Sequence, residues 1–295
     1  MSQAPTIQNP LDRGPKPPFP EQSQQPTGSE KAMNPRPDYG EKTYKGSGKL
    51  LGRAAIITGA DSGIGRAVAL AYTREGADVL FAYLEEDADA EETTRVTQDT
   101  GRKVIAMKGD VSDEAFCQRL IERAIEEFGR LDILVNNAAY QQTHESITQM
   151  PSAEIERIFR TNALALFWTC KAAIPHMRPG GVILNTASIE AYEPKPFLLH
   201  YSASKGAVVT FTKGLALELT PKGIRVNAVA PGPVWTPLIP MSMAPEHVKN
   251  FGKSDPMQRP AQPAEVAPAY VFLASDEASY ISGEILGVTG GKTLP

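Results

Sequence analysis

The chain has 295 residues, 41% of them hydrophobic, with a formal net charge of −4 and a pI near 5.7. That balance describes a globular protein and gives no electrostatic case for nucleic acid or anionic membrane as a partner. No apolar run approaches the ~20 residues of a membrane span and no signal-peptide core opens the sequence, so a cytosolic protein is expected. Cys117 and Cys170 have no CxxC spacing and read as inert buried thiols rather than a redox pair. The four histidines (His144, His176, His200 and His247) are scattered and form no metal-ligand pattern, so no metal is expected.

Residues 1–48 stand apart. They hold nine of the 25 prolines, including "GPKPPFP", together with many Gln, Ser, Gly and charged residues. Such a composition builds no core of its own and predicts an extended segment. It is either a solvated tail or an arm laid across the body of the protein or across a neighbouring subunit.

From residue 49 to 295 one domain is predicted. "RAAIITG" reads as a buried strand and "IGRAVALAYTREG" as a helix, followed by a strand in "ADVLFAYL" and a helix over 86–100. "KVIAMKGD" leads into a helix over 113–128, "LDILVNNA" precedes a long helical stretch over 151–177, and "GVILNTAS" precedes another over 201–219. "IRVNAVAPG" is followed by a loop near 232–257, a helix near 263–275 and a last strand in "GEILGVTGG". Nearly all-apolar strands alternating with helices predict an α/β, Rossmann-type, doubly wound domain with seven parallel strands and helices on both faces.

"TGADSGIG", residues 58–65, falls between the first strand and the first helix. Gly59, Gly63 and Gly65 allow a tight turn and a close backbone approach to a pyrophosphate seated on the N–H groups of the helix start. Glycines also serve ordinary turns, so it is their place between a buried strand and an amphipathic helix that points to a dinucleotide.

With these motifs, and with "GDV" at 109–111, "NNAA" at 136–139, Asn162, Ser188, "YSASK" at 201–205 and "APGPVWT" at 230–236, the sequence resembles the short-chain dehydrogenases/reductases from Gly52 to Gly291. The Pro-rich tail, Asp61 and "APGPVWTPLIP" resemble the tailed general-stress and glucose/ribitol-dehydrogenase-like members. One departure is Ala139, where the family carries glycine. A positive φ there would strain alanine by about 1 kcal/mol.

Tyr201 and Lys205 are four apart on a predicted helix and so share a face. With nine Tyr and 15 Lys in the chain, about 0.5 such pairs arise by chance, so position carries the argument. The pair opens the helix after the strand that ends near Ser188, and ligands of parallel sheets lie beyond the C-terminal strand ends. A lysine cation beside the phenol would lower its pKa and let Tyr201 exchange a proton with an alcohol or ketone. The resemblance implies that Lys205 also binds the nicotinamide ribose, that Ser188 bonds the substrate oxygen, and that Asn162 holds a water in the proton path.

The resemblance further implies cofactor contacts at Asp61, Ser62, Ile64 and the three glycines, at Asp110 and Val111, and at Asn137 and Ala138. Pro231, Gly232, Val234 and Thr236 complete that set, with Tyr201 and Lys205. Asn136 is expected to pack between strand and cofactor. Asp110 is expected at the adenine amine, its plainer reading being a helix N-cap. Glu85 lies about 20 residues beyond Gly65, where an acidic side chain selects the unphosphorylated ribose, although the resemblance puts the selecting position at Tyr83. Arg66 is expected to face away along its helix. The charge balance favours NAD, with NADP left open.

The expected activity is interconversion of an alcohol, such as a sugar or polyol, with a ketone or aldehyde. The alternatives are a non-catalytic redox sensor or stress scaffold, and isomerase or dehydratase chemistry on the same fold. Pocket walls are expected from Tyr140, Gln141, Gln142, His144, Glu190, Glu193, Lys195, Trp235, Leu238 and Met241. "GAVVTFTKGLALEL" is apolar over more of its circumference than one buried face requires, which predicts a homodimer or homotetramer.

Overall fold

The computed structural model describes residues 9–294. The first eight residues of the proline-rich segment and Pro295 lie outside the described residues. Strand and helix alternate as the periodicity predicts: β1 (Ala54–Thr58), α1 (Gly63–Arg74), β2 (Asp78–Tyr83), α2 (Asp87–Thr97), β3 (Val104–Lys108), α3 (Glu114–Phe128) and β4 (Leu131–Asn136). There follow α4 (Ser152–Phe159), α5 (Ala165–Ala173), β5 (Met177–Thr186), α6 (Leu199–Leu219) and β6 (Arg225–Pro231). Two short helices, α7 (Leu238–Ser242) and α8 (Pro245–Lys249), precede α9 (Pro263–Ala274) and β7 (Ile285–Val288).

The seven strands form one parallel sheet in the order β3-β2-β1-β4-β5-β6-β7. Each crossover carries a chain segment over one face, so both faces are covered and the strands are apolar throughout. Successive residues of β1 divide between the two layers. Ala55 and Ile57 pack with Tyr72 of α1 and Tyr270 of α9, while Ile56 packs with Leu120 of α3 and Leu219 of α6. Cys117 and Cys170 are free and buried, and burial pushes both thiols up to about 12, which makes them inert.

Two details differ from the sequence reading. The helix predicted over 151–177 is interrupted between α4 and α5 by a π turn, Arg160–Leu164, that contains Asn162. The cap of α3 is Asp113, whose carboxylate accepts from the N–H groups of Ala115 and Phe116, so Asp110 is not the N-cap. Asp110 Oδ1 instead accepts from Ser112 N–H at 2.7 Å within the turn. No helix among the described residues is long and apolar enough to cross a membrane.

Residues of the proline-rich segment pack on this body. Phe19 and Met33 are buried with Trp235, Ile239 and Val248. Phe19 stacks on Trp235 with ring centroids 4.3 Å apart. The Trp235 indole donates to the Pro35 carbonyl at 2.8 Å, and Arg74 donates to the carbonyls of Gly40, Glu41 and Tyr44.

A polar chain runs through the core beneath α6. Thr169 Oγ1 donates to Asn136 Oδ1 at 2.7 Å, Asn136 Nδ2 to Asn185 Oδ1 at 2.9 Å, and Asn185 Nδ2 to Thr212 Oγ1 at 2.9 Å. All four side chains are buried, so removing one member strands its neighbours without water. Asn185→Ala is therefore expected to cost about 2–4 kcal/mol, read from the urea unfolding midpoint. A loss below ~0.5 kcal/mol, the scale of a surface substitution, would show that the chain adds no stability.

Candidate active site

The C-terminal strand ends surround one cleft of about 510 Å³. Its centre is where the strand order reverses, between β1 and β4, the switch point of a doubly wound sheet. The β1–α1 turn fits there only because it lacks side chains. A β-carbon on residue 65 would lie 2.1 Å from the Gly59 carbonyl oxygen, and one on residue 59 would lie 2.8 Å from Ala138 Cα. Gly59 and Gly63 also take positive φ, 65° and 53°. Asn137 Nδ2 donates to the carbonyls of Gly59 (2.9 Å) and Thr58 (3.1 Å), and Thr58 Oγ1 accepts from the N–H groups of Asn137 and Ala138 at 3.0 Å.

The cleft is lined by Gly59, Asp61, Ser62, Gly63, Ile64, Tyr83, Glu85, Asp110, Val111, Asn137, Ala138, Pro231, Gly232, Val234 and Thr236, together with Ser188, Tyr201 and Lys205. Gly65 stands behind the turn, against Gly59 and Asn137. Asn162 is buried beside the cleft. Its Oδ1 accepts from Tyr140 N–H at 2.8 Å, and its Nδ2 donates to the Tyr140 carbonyl (2.9 Å) and to Ser204 Oγ (3.0 Å). The asparagine side chain thus pins the segment after β4 to α6.

At the floor, Lys205 Nζ donates to the Thr186 carbonyl at 2.7 Å and lies 5.6 Å from the Tyr201 ring centroid. Thr186 Oγ1 shares a hydrogen bond of 2.7 Å with the Tyr270 hydroxyl. Ser188 and Tyr201 both line the cleft wall, with the serine hydroxyl near enough to act on the phenol, and Ser188 Oγ accepts from Glu190 N–H at 3.1 Å. The expected electrostatics are corrected here. Burial pushes the Tyr201 phenol above its ordinary value, opposed only by the nearby Ser188 hydroxyl, and Lys205 is not among the groups that lower it. The reason is the lysine's own burial, which lowers it to about 7 and makes it a much weaker cation than a solvated lysine.

Several other expectations are also corrected. Asn136 is buried in the polar chain under α6 and lies outside the cleft, because successive residues of a strand point to opposite faces. Trp235 is fully buried beneath Phe19 and lies outside the cleft lining, as do Gln142, His144 and Glu193. Arg66 does not face away. Its guanidinium is buried, donating to Thr93 Oγ1 at 2.9 Å and to the carbonyls of Asp61 and Asp89. Ala139 carries no strain, since among the described non-glycine residues only Gln258 has a positive φ.

The scattered histidines are partly gathered by the fold. His144 Nε2 and His200 Nε2 both meet Glu154 Oε1, at 2.6 and 2.9 Å. These are hydrogen-bond distances, and His200 Nδ1 is buried with no partner among the described residues. The cluster is a hydrogen-bonded tie between the β4 loop, α4 and α6.

Sequence reasoning missed Thr186, Tyr270, Thr27 and Glu30. Thr186 stands at a strand end beside Ser188 and was within reach of that argument. Tyr270 lies on α9, and nothing local marks it. Thr27 and Glu30 come from the proline-rich segment. Thr27 lines the cleft, and Glu30 Oε2 accepts from Gly63 N–H at 2.7 Å.

A parallel sheet with a glycine turn at its switch point and a Ser, Tyr and Lys set across the cleft is the build of a dinucleotide-dependent α/β oxidoreductase. A family model described as enoyl-(acyl carrier protein) reductase matches residues 59–293. The uncharacterized oxidoreductase YhdF of Bacillus subtilis is 49% identical, covering 97% of this chain and 99% of its own length. Glucose and ribitol dehydrogenase homolog 2 of Arabidopsis thaliana is also 49% identical, covering 92% of this chain and 97% of its own. The crystal structure of a short-chain dehydrogenase from Burkholderia cenocepacia in complex with NADP is similar with a TM-score of 0.78 and 32% identity, over 82% of this chain and 98% of that one. The chain belongs to the short-chain dehydrogenase/reductase family of NAD(P)-dependent oxidoreductases.

Proposed function

We propose that the protein interconverts an alcohol and an aldehyde or ketone, with Tyr201 as the proton donor and acceptor. The observation that carries this reading is the Ser188 and Tyr201 side chains brought together in the cleft wall, with Lys205 against the tyrosine ring. The residues fit a nicotinamide dinucleotide. The glycine turn excludes side chains where a pyrophosphate would approach, and Ser62 makes no side-chain cap at the start of α1, although Glu30 takes the Gly63 N–H there. When bound, the dinucleotide supplies or accepts the hydride.

The chain's own groups do the rest. The Ser188 hydroxyl orients the substrate oxygen, and the Tyr201 hydroxyl passes a proton to it or takes one from it. Lys205, anchored on the Thr186 carbonyl, meets the nicotinamide ribose and carries the proton onward. Asn162 is a positioning residue that holds the backbone of Tyr140 beside the reacting groups. At the other end, Glu85 and Glu86 line the ribose pocket, which favours NAD over NADP. Glu190, Lys195, Glu246 and His247 line the substrate side with Leu238 and Met241. A polyol, sugar or polar aldehyde suits that mixture. Relatives named glucose and ribitol dehydrogenase homolog and NADPH-dependent aldehyde reductase 1 agree with the class. The sensor alternative has less support, because a scaffold without turnover needs no buried Ser–Tyr–Lys set. The free buried thiols agree with a reducing cytosol.

Self-association belongs to the same proposal. Leu164, Phe167 and Leu217 are exposed on the α5 and α6 side, Leu217 at 81%, and the Phe167 ring meets Phe211 of α6 at a tilt, with centroids 4.5 Å apart. Such a surface fits a two-fold contact between copies. Light scattering at micromolar concentration is expected to give a dimer or tetramer mass, and a monomer would refute it.

Tyr201→Phe is expected to abolish turnover while leaving dinucleotide affinity within about threefold, since only the hydroxyl is lost; more than about a tenth of the wild-type kcat would sink the assigned role. The raised phenol also sets a pH dependence. Tyr201 stays protonated through neutrality, the form that donates to a carbonyl. Alcohol oxidation needs the phenolate, whose fraction grows about tenfold per pH unit below the pKa. Oxidation kcat/KM is thus expected to climb from about pH 7 to 9 without a plateau while reduction stays flat. Oxidation that levels off below about pH 8 would refute this assignment.

A further inference from the structure

The proline-rich segment is tied down on both sides of the cleft's adenosine end. On the substrate side, Phe19 N–H donates to the Lys249 carbonyl and Gln24 N–H to the Pro240 carbonyl, each at 2.8 Å. Beyond the cleft, Asp38 N–H donates to Gln262 Oε1 at 2.9 Å. Between these anchors, Thr27 lines the cleft and its Oγ1 donates to Glu86 Oε1 at 2.9 Å. Glu86 and Glu85 line the same wall.

Three residues further on, Glu30 is fully buried. Its N–H donates to Asp89 Oδ2 at 2.8 Å, Oε2 accepts from Gly63 N–H at 2.7 Å, and Oε1 pairs with Arg66. An uncompensated carboxylate would not be stable at such a site, so the buried Arg66 and the helix N–H are its required partners. The same contacts hold Arg66. Its guanidinium faces Glu30 and Asp89, and donates to the Asp61 carbonyl in the turn that lines the cleft. Arg66 is thereby the basic side chain nearest the glycine turn in sequence, and it is fully engaged away from the ligand. A 2′-phosphate needs a cation at this end of the cleft, whereas a free ribose needs none.

We propose that the arm supplies specificity-determining residues of the cofactor site: Glu30 is a positioning residue that sequesters Arg66, and Thr27 with Glu86 forms a wall that disfavours a 2′-phosphate. This rests on the dinucleotide reading above. Part of the selectivity thus lies in a segment about 30 residues ahead of the glycine turn, bonded both to that turn and to the stretch after β2. Loss of the Glu30 charge removes one of the two carboxylates that hold the guanidinium, which loosens it, and takes away one negative charge. A cation at position 27 places a positive group directly on the wall. Both changes point the same way.

The test uses the full chain. Dissociation constants for NADH and NADPH are measured by fluorescence titration for wild type, Glu30→Gln and Thr27→Arg, with thermal unfolding recorded alongside. Glu30→Gln is expected to shift the NADH/NADPH affinity ratio towards NADPH by about tenfold, and Thr27→Arg by at least as much. A folded Glu30→Gln with a ratio within about twofold of wild type overturns the role of Glu30. A purely structural role would weaken both ligands together and leave the ratio unchanged. If Glu30→Gln does not fold, Thr27→Arg decides, because residue 27 lies on the cleft wall outside the buried cluster; an unchanged ratio there overturns the proposal. Wild type that binds neither dinucleotide would overturn the parent reading, a result distinct from equal binding with unmoved ratios.

Discussion

The Gly59 carbonyl occupies the space that a β-carbon on residue 65 would need, and the Asn137 amide is bonded to that same carbonyl. This close approach lets the start of α1 dock on the ends of β1 and β4. It also leaves open the gap at the point where the strand order reverses. Because every strand of the sheet runs the same way, the remaining connections emerge on the same edge. The cleft, the turn and the Ser–Tyr–Lys set meet there by geometry rather than by separate design. Larger side chains in the turn would push α1 off the sheet before affecting any ligand.

The floor of the cleft trades charge for burial. A lysine taken out of water loses much of its preference for the cationic form, and a phenol in the same place holds its proton more tightly. The Thr186 carbonyl fixes where the ammonium sits, and Tyr270 braces Thr186 from α9. The phenol therefore keeps its proton in the resting protein. The buried chain from Thr169 to Thr212 supports α6 from below. Its polar groups are fully paired, so it stiffens the platform without a desolvation penalty.

Beside this core, the arm and the glycine turn share one buried ionic cluster. Arg66, Glu30 and Asp89 come from α1, the arm and α2, and none of the three is stable there without the others. The order of the turn, the position of the arm and the charge at the adenosine end are thus coupled through a single guanidinium. Phe19 on Trp235 couples the same arm to the loop above the substrate side.

Local pattern determined much of this protein. Apolar runs of strand length between helical stretches imply a parallel sheet whatever the partners, since such strands need cover on both faces. The glycine spacing and the four-residue offset of Tyr201 and Lys205 act within one turn or one helix, where chain geometry alone sets direction. Contacts made across the chain were decided by the tertiary structure. Which of Asn136 and Asn137 faces the cleft depends on strand register, and the two look alike in sequence. Arg66 looks like an exposed helix residue until Glu30, 36 positions away, is folded over it. Trp235 looks like a pocket wall until Phe19 covers it, and His144 and His200 look unrelated until Glu154 stands between them. Side-chain burial and its effect on Tyr201 and Lys205 belong to this second group, because desolvation is a property of the packed neighbourhood and not of the residue.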